Sequence, residues 1–478
     1  MRRSQRERRD PVSPAAAKPF DRSIIDGPIG PAVWKIAWPT VLQNIIGGLQ
    51  GIIDHMMVGH LVGFAGNAAI GVSFQIFLVV VVFLGSLFTG MAVLVARYTG
   101  AGDVAAVNRV ASQAFLVAMT LSVGVIAPVG YFAAPLLLGV VNAAPAVQAE
   151  ALSYLRIMFV FNFGIMMFFM LSSGLRAAGD AKTPLRLGVA MTVLNIGFNV
   201  IFIRGLGPIP SYGTAGAAIG TVLSGGMVAI YAVAQLFRGA WVLNFSHASW
   251  RPNWSVIREL FRFGLPAGLQ GIAMNVAGVL LLRFIGSTSS SAAAQAAYAV
   301  GYSELFSLVT WTSVGLMGAA SAVAGQNIGA GQPDRSVQAV HSANRIGLGI
   351  ATVVGVLFLA IPRQLLGLFG MAQPDVVTIG VQLLAFLSVS GLFITTALTY
   401  TGGLQGTGDT KSPLYITLIS QFALPIGFLT SVQLLRPLVP SDVWLAIVMG
   451  HALRCVLTVW RFRQGKWRAI RIGATDRA

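Results

Sequence analysis

The stretch WKIAWPTVLQNIIGGLQGIIDHMMVGHLV at residues 34–62 is long enough to cross a bilayer, and one carboxylate, Asp54, interrupts it. A helix needs about 20 mostly apolar residues to span the hydrocarbon core. A carboxylate at that depth is costly and typically faces a protein-lined cavity rather than lipid. The stretch therefore predicts a membrane-spanning helix that carries part of a functional site.

The rest of the chain repeats this apolar length. Of its 478 residues, 55% are hydrophobic and only 10% are charged, whereas soluble domains carry about 25% charged residues. This composition predicts an all-α membrane protein with twelve transmembrane helices. The predicted spans lie near 33–60, 67–97, 109–136, 148–175, 184–204, 213–238, 256–284, 292–326, 338–361, 374–403, 413–435 and 441–462.

The net charge of +17 follows membrane topology rather than a nucleic-acid surface. If the N-terminus is cytoplasmic, all but five of the 32 lysines and arginines fall in the tails and the loops on that side. This bias predicts a cell inner membrane protein with both termini in the cytoplasm and no nucleic-acid partner. The single cysteine, Cys455, excludes an intrachain disulfide and a cysteine metal cluster. The five exceptions are Arg156, Arg204, Arg283, Arg363 and Arg436.

Two halves of the chain resemble each other at an offset of about 228 residues. The strings AWPTVLQ, TGAGD (99–103) and RAAGDAKTPL (176–185) recur as FGLPAGLQ, IGAGQ (328–332) and QGTGDTKSPL (405–414). Six helices per copy make a parallel repeat, so we expect two six-helix bundles related by a pseudo-two-fold axis along the membrane normal. A central cleft and alternating access by rocking of the bundles follow from this arrangement.

The same pattern predicts where the parts of the chain begin and end. No GxxxxGK[ST] string is present, so the sequence carries no ATP-binding loop of that type and energy would come from an ion gradient. The predicted parts are a cytoplasmic basic tail (1–30), an N-terminal bundle (31–238), a cytoplasmic linker (239–255), a C-terminal bundle (256–462) and a cytoplasmic tail (463–478).

The first predicted helix carries a polar stripe. Gln43, Gly47, Gln50 and Asp54 lie at i, i+4, i+7 and i+11, which places them on one helical face. Removal from water favours the neutral form of a carboxyl group, whereas water or a bound cation favours its charged form. The proton or cation occupancy of Asp54 would thus be linked to whether the cavity of the first bundle is open to water. The second half has Leu281 at the equivalent position.

Partners for Asp54 are expected on the fifth and sixth helices. Asn195 and Asn199 share one face, and Thr221 follows on the next helix. Together with Asp54 they supply oxygens that can take a proton or coordinate Na⁺. Packing between helices is an equally open explanation for these three residues. No other metal and no cofactor are expected.

Glu304 is the second acid that we place within a predicted span. It follows Tyr298 and Tyr302 in AAYAVGYSELF, and a carboxylate with aromatic rings suits an organic cation. Glu304, Tyr298, Tyr302 and Gln50 are therefore candidate substrate or secondary coupling residues. The alternative is that Glu304 lies at a helix end and reaches the headgroups.

These motifs resemble those of the MATE (multidrug and toxic compound extrusion) transporters. Pro39 to Asp54, VGHLVGFAGNAAIGV and GMAVLVARYTGAGD are similar to the first two helices of that family, and FGLPAGLQ, AAYAV and GAASAVAGQNIGAG to the corresponding second-half pair. The resemblance covers residues 33–462. It implies a non-enzymatic antiporter, expected to act as a monomer among membrane lipids, that exports organic cations or amphipathic drugs in exchange for H⁺ or Na⁺.

The resemblance also implies roles for particular residues. The family's helix-1 acid falls on Asp54, and the helix-5 Asn–Asp pair of the DinF-like branch falls on Asn195 and Asn199, so the second acid is an amide here. The acids of the NorM-like branch fall near Met274–Asn275 and Ile394–Thr395, where this chain has none. The pattern is therefore closer to the DinF-like branch.

Three other classes of protein compete with this interpretation. A flippase for a lipid-linked precursor, or an exporter of another metabolite, would share the architecture, but a pyrophosphate needs arginine and lysine at depth, and the predicted spans are nearly free of them. A membrane-embedded enzyme would show paired acids or a His-acid pair at one depth. The GxGD strings at 100–103 and 406–409 are more typical of helix-end turns than of a protease. A scaffold or receptor would not explain Asp54 or the repeat.

Overall fold

The computed structural model describes residues 20–141, 144–246 and 248–472. Most of both predicted tails, at residues 1–19 and 473–478, lies outside the described residues. A helical segment occupies each of the twelve predicted spans. These are α1 (Ile29–Leu61), α2 (Phe64–Gly100), α3 (Val104–Val140), α4 (Pro145–Val160 with Phe163–Ala177), α5 (Lys182–Arg204), α6 (Gly213–Phe237), α7 (Trp254–Gly286), α8 (Ser291–Gly329), α9 (Pro333–Ala360), α10 (Pro374–Gly406), α11 (Lys411–Leu435) and α12 (Pro440–Arg463).

Length and composition support membrane spanning for most of these helices. Within the described ranges, ten helices are long and apolar enough to cross a membrane. The number is eleven if the two parts of α4, which are bent by 53° at their break, form one span. α1 is outside this set, because Gln43, Asn44, Gln50 and Asp54 lower its mean hydropathy. Its polar stripe is therefore tolerable only where protein, not lipid, faces it.

The two halves each form an apolar core and meet along a few helices. The core of the first half includes Leu84, Met91 and Leu155, and that of the second includes Phe306 and Trp444. α1 packs against α5 of its own half and against α8 of the other, while α2 packs against α4, α7 and α8. The interface between the halves thus consists mainly of α1 and α2 against α7 and α8.

At the Gly100 end of α2 the two halves touch backbone to backbone. A Cβ on Gly100 would lie 1.9 Å from the carbonyl oxygen of Gln326 on α8. Arg97, one turn earlier, donates from Nη2 to the carbonyl oxygens of Thr407 at 2.8 Å and Ile470 at 3.0 Å. These contacts close the molecule at this end, which the charge pattern predicts to be cytoplasmic.

The GxGD strings are turns, as their position suggested. Gly102 and Gly408 have φ values of 75° and 94°, in the region that favours glycine. Asp103 accepts a hydrogen bond from the backbone N–H of Ala106 at 2.9 Å, and Asp409 accepts one from Ser412 at 3.2 Å. Asp103 therefore caps α3, and Asp409 holds the turn before α11.

The predicted linker packs against the first half. Phe245 is buried in the core of that half. Gln113 on α3 donates from Nε2 to the carbonyl oxygen of Arg251 at 3.0 Å and accepts from the backbone N–H of Asn253 at 2.9 Å. The linker between the halves is thus hydrogen-bonded to α3.

Candidate functional site

A cavity of about 1440 Å³ lies between the halves, lined by α1, α2, α4, α5, α6 and α8. On α1 its lining runs from Gln43 to His60. The cavity therefore occupies the part of the molecule away from the closed Gly100 end. Asp54 and Glu304 both line it, one from each half.

Asp54 heads a chain of hydrogen bonds that leads into the first half. Asn199, which is fully buried, donates from Nδ2 to Oδ1 of Asp54 at 2.6 Å and to Oδ1 of Asn195 at 3.3 Å. Asn195 donates in turn from Nδ2 to Oγ1 of Thr221 at 3.1 Å. The structure thus brings together all four residues that the sequence pattern grouped as a coupling site. A short bond to a carboxylate oxygen is among the stronger hydrogen bonds in proteins.

Gly220 on α6 makes room for this chain. A Cβ at this position would lie 2.2 Å from Oδ1 of Asn199 and 3.2 Å from its backbone nitrogen. The same Oδ1 is buried and accepts no hydrogen bond. A buried acceptor without a donor is costly, so the packing of Asn199 against α6 leaves its amide oxygen unpaired while its nitrogen bonds to Asp54.

Two further hydrogen bonds tie α1 to its neighbours. Thr192 on α5 donates to Oε1 of Gln50 at 2.7 Å. Nδ1 of His55 lies 2.6 Å from Oδ1 of Asn67 on α2. Gln50 is therefore bonded to α5, the helix that carries Asn195 and Asn199, and it also lines the cavity.

Tyr154 on α4 is a lining residue that the sequence analysis did not select. It is buried and lies close enough to Asp54 for electrostatic interaction. Within the apolar fourth helix nothing in the local pattern distinguishes it from a packing residue, so only the helix arrangement reveals it.

The aromatic neighbours of Glu304 differ from those that the sequence suggested. Tyr298 stacks on Tyr302 with ring centroids 4.9 Å apart and on Trp444 at 6.2 Å, inside the second half and outside the cavity lining. Glu304 lies in the same π-helical turn as Tyr302, Ala299–Leu305, but it lines the cavity and the two tyrosines do not.

The second half also contains a basic residue at depth, contrary to the expectation that the spans are nearly free of them. Arg454 on α12 is only 2% exposed. A charge count places Arg454 with the cytoplasmic residues, because Arg461 and Arg463 follow it at the end of α12.

No group of three or more His, Cys, Asp or Glu in the described part of the chain could hold a metal ion.

Fold and cavity together define a class: a helical membrane transporter with two halves around a central cavity that contains a carboxylate. Comparisons with known proteins agree. The MatE family model matches residues 39–201 and 266–429, one match in each half. The chain therefore belongs to the MatE family, a family of transporters and not of enzymes.

Individual relatives extend over most of the chain. It is 26% identical to a probable multidrug resistance protein NorM of Thermotoga maritima, over 91% of this chain and 92% of that protein. It is 28% identical to a probable multidrug resistance protein YpnP of Bacillus subtilis, over 91% of this chain and 95% of that protein. A solved outward-facing multidrug resistance MATE family transporter matches with a TM-score of 0.86 and 22% identity, over 94% of this chain and 98% of that chain, which shows the same fold. The predicted DinF-like branch is not confirmed by these matches.

Proposed function

We propose that the protein is a secondary antiporter that exports organic cations or amphipathic drugs in exchange for H⁺ or Na⁺. The observation that carries this proposal is that Asp54 lies in the cavity between the halves and is bonded to Asn199 inside the first half. The names of the relatives as multidrug resistance proteins support it. We place the protein in the cell inner membrane as a monomer with both termini cytoplasmic.

Occupancy of Asp54 would act on α5 through its hydrogen-bond donor. An ionised carboxylate accepts the N–H of Asn199, as in this structure. If the proton binds at Oδ1 itself, this oxygen becomes a donor, and the amide of Asn199 would have to present its oxygen instead. That rotation would also break the bond to Asn195. Proton binding is thereby linked to the packing of α5 on α6, and a linkage between occupancy and conformation is what coupled transport requires.

The cavity wall suits a cationic or amphipathic substrate. Asp54 and Glu304 provide negative charge, and Phe74, Phe77 and Trp311 provide aromatic surface. Rings of this kind attract organic cations in addition to the carboxylates. None of the described residues that line the cavity is a lysine or arginine, so the wall does not favour the pyrophosphate of a lipid-linked precursor.

Asp54→Asn tests this function. We expect it to abolish efflux of a fluorescent cation from proteoliposomes under both a pH gradient and a sodium gradient, imposed separately. Asp103→Asn is the matched control, because asparagine caps a helix as well as aspartate does and this variant should transport normally. Wild-type efflux by folded Asp54→Asn protein under either gradient would refute the role of Asp54, and the gradient that drives wild-type efflux identifies the coupling ion.

A further inference from the structure

The second half contains a buried cluster of one arginine and one histidine. Arg454 and His451 lie on one side of α12 and are 2% and 3% exposed. Arg454 is nine residues before the end of the helix at Arg463, or about 13 Å at 1.5 Å per residue. Its guanidinium group therefore lies at membrane depth. Nδ1 of His451 is 2.6 Å from Oγ of Ser390 on α10.

Arg454 has no carboxylate partner among the described residues. The hydrogen-bond contact of its guanidinium group is Nη1 to Sδ of Met274 on α7, at 3.7 Å. A thioether is a weak acceptor, and a buried charge without compensation costs several kcal/mol. The carboxylates of this half that form ion pairs are engaged elsewhere. They are Asp334 with Arg468, Asp409 with Arg461, and Asp442 with Arg436.

A second hydrogen-bond donor near Arg454 is also unpaired. Nε2 of Gln421 on α11 is buried without an acceptor, and it lies 3.3 Å from the Cβ position of Gly450, one helical turn before Arg454. Tyr302 on α8 lies close enough to Arg454 for electrostatic interaction. Beside Asp54 the unpaired buried atom is an acceptor, Oδ1 of Asn199. The unpaired buried atom of Gln421 is thus a donor, whereas that of Asn199 is an acceptor.

Two π-helical turns border this cluster. Tyr302 lies in Ala299–Leu305 of α8, and Gln421 lies in Leu418–Ala423 of α11. Turns of this kind occur often at functional sites, because they displace side chains from regular helical positions. One turn carries Tyr302, a neighbour of Arg454, and the other carries Gln421, a neighbour of Gly450 one helical turn before Arg454.

We propose that Arg454 and Gln421 form a buried binding site for a small monovalent anion of the size of chloride. The guanidinium group is always charged and offers only donors, and the unpaired amide group of Gln421 adds another. An anion would satisfy both at once and neutralise the charge. Because Arg454 is almost completely buried, the site fits a halide rather than an organic anion.

Thermal unfolding of the purified protein tests the site without any transport measurement. We expect chloride, compared with gluconate at equal ionic strength, to raise the Tm of the wild type saturably by about 1 °C or more. Arg454→Met should lose this difference and, in gluconate, be at least as stable as the wild type, because an uncompensated buried charge has been removed. Arg283→Met is the control: this arginine is exposed, so its loss should leave the chloride effect intact.

A wild type without a chloride-specific rise, or a rise that persists in Arg454→Met, overturns the proposal. If Arg454→Met does not fold, wild-type crystals grown in saturating bromide test whether an anion binds at Arg454. An anomalous peak in contact with the guanidinium group of Arg454 supports the site, and its absence rejects it. Failure of Asp54→Asn to impair efflux would leave this result unchanged, so the two proposals stand or fall separately.

Discussion

Gly220→Ala should separate Asp54 from its hydrogen-bond donor while leaving every polar group of the site in the sequence. The new methyl group would lie 2.2 Å from Oδ1 of Asn199 and 3.2 Å from its backbone nitrogen. Asn199 and Asn195 are both fully buried, so the amide has little free space. We therefore expect the amide of Asn199 to turn away from Asp54 and the 2.6 Å bond to be lost.

The size of the effect follows from that one bond. A hydrogen bond to a charged group contributes about 1.5–3 kcal/mol net, which corresponds to about 10- to 150-fold in an equilibrium constant. We expect ion-driven efflux of a fluorescent cation from proteoliposomes to fall by at least about tenfold. The protein should stay folded, since alanine favours a helix over glycine by about 1 kcal/mol and offsets part of the clash.

Gly226→Ala on the same helix is the matched control. A Cβ at Gly226 would meet nothing within 4 Å, so this variant gains the helix propensity without the clash. It should transport at the wild-type rate with an unchanged or higher Tm. Efflux by Gly220→Ala at the wild-type rate, or equal loss in both variants, would refute the role assigned to the bond between Asn199 and Asp54.

Two further predictions concern the closed end and the cavity. Gly100→Ala should force α2 from α8 and shift the molecule away from the conformation in which the Gly100 end is closed, because its methyl group would lie 1.9 Å from the carbonyl oxygen of Gln326. Gly85→Ala on the same helix is the control, because its methyl group meets nothing within 4 Å. Distances between spin labels across the cavity mouth measure this shift, and equal distances in both variants would contradict it. Glu304→Gln should weaken binding of a cationic dye by about fivefold or more and leave the binding of an uncharged drug unchanged. Equilibrium binding to the purified protein measures both affinities. An equal loss of affinity for the two ligands would refute the role of Glu304 in recognising positive charge.

Much of the architecture was predictable because it depends on local patterns. The length of each apolar run sets a helix, and a helical segment occupies all twelve predicted spans. The internal repeat is matched by the two separate alignments of the family model. The stripe that ends in Asp54 was detectable because helical periodicity places residues i, i+4, i+7 and i+11 on one face.

The site was predictable where polar residues interrupt apolar helices and unpredictable elsewhere. Asp54, Asn195, Asn199 and Thr221 stand out in this way, and the structure brings them into one chain of hydrogen bonds. Tyr154 does not stand out, because a buried tyrosine in an apolar helix looks the same whether it packs or lines a cavity.

What the sequence determined by itself is therefore the number and place of the helices, the duplication and the presence of a carboxylate in the first half. The tertiary structure decided which groups meet: Glu304 at the cavity without Tyr298 and Tyr302, Gly220 against Asn199, and Arg454 against the thioether of Met274. The physical reason is that hydropathy and periodicity depend on neighbours along one helix. Contact and burial depend on how each helix is rotated and packed against others distant in the chain.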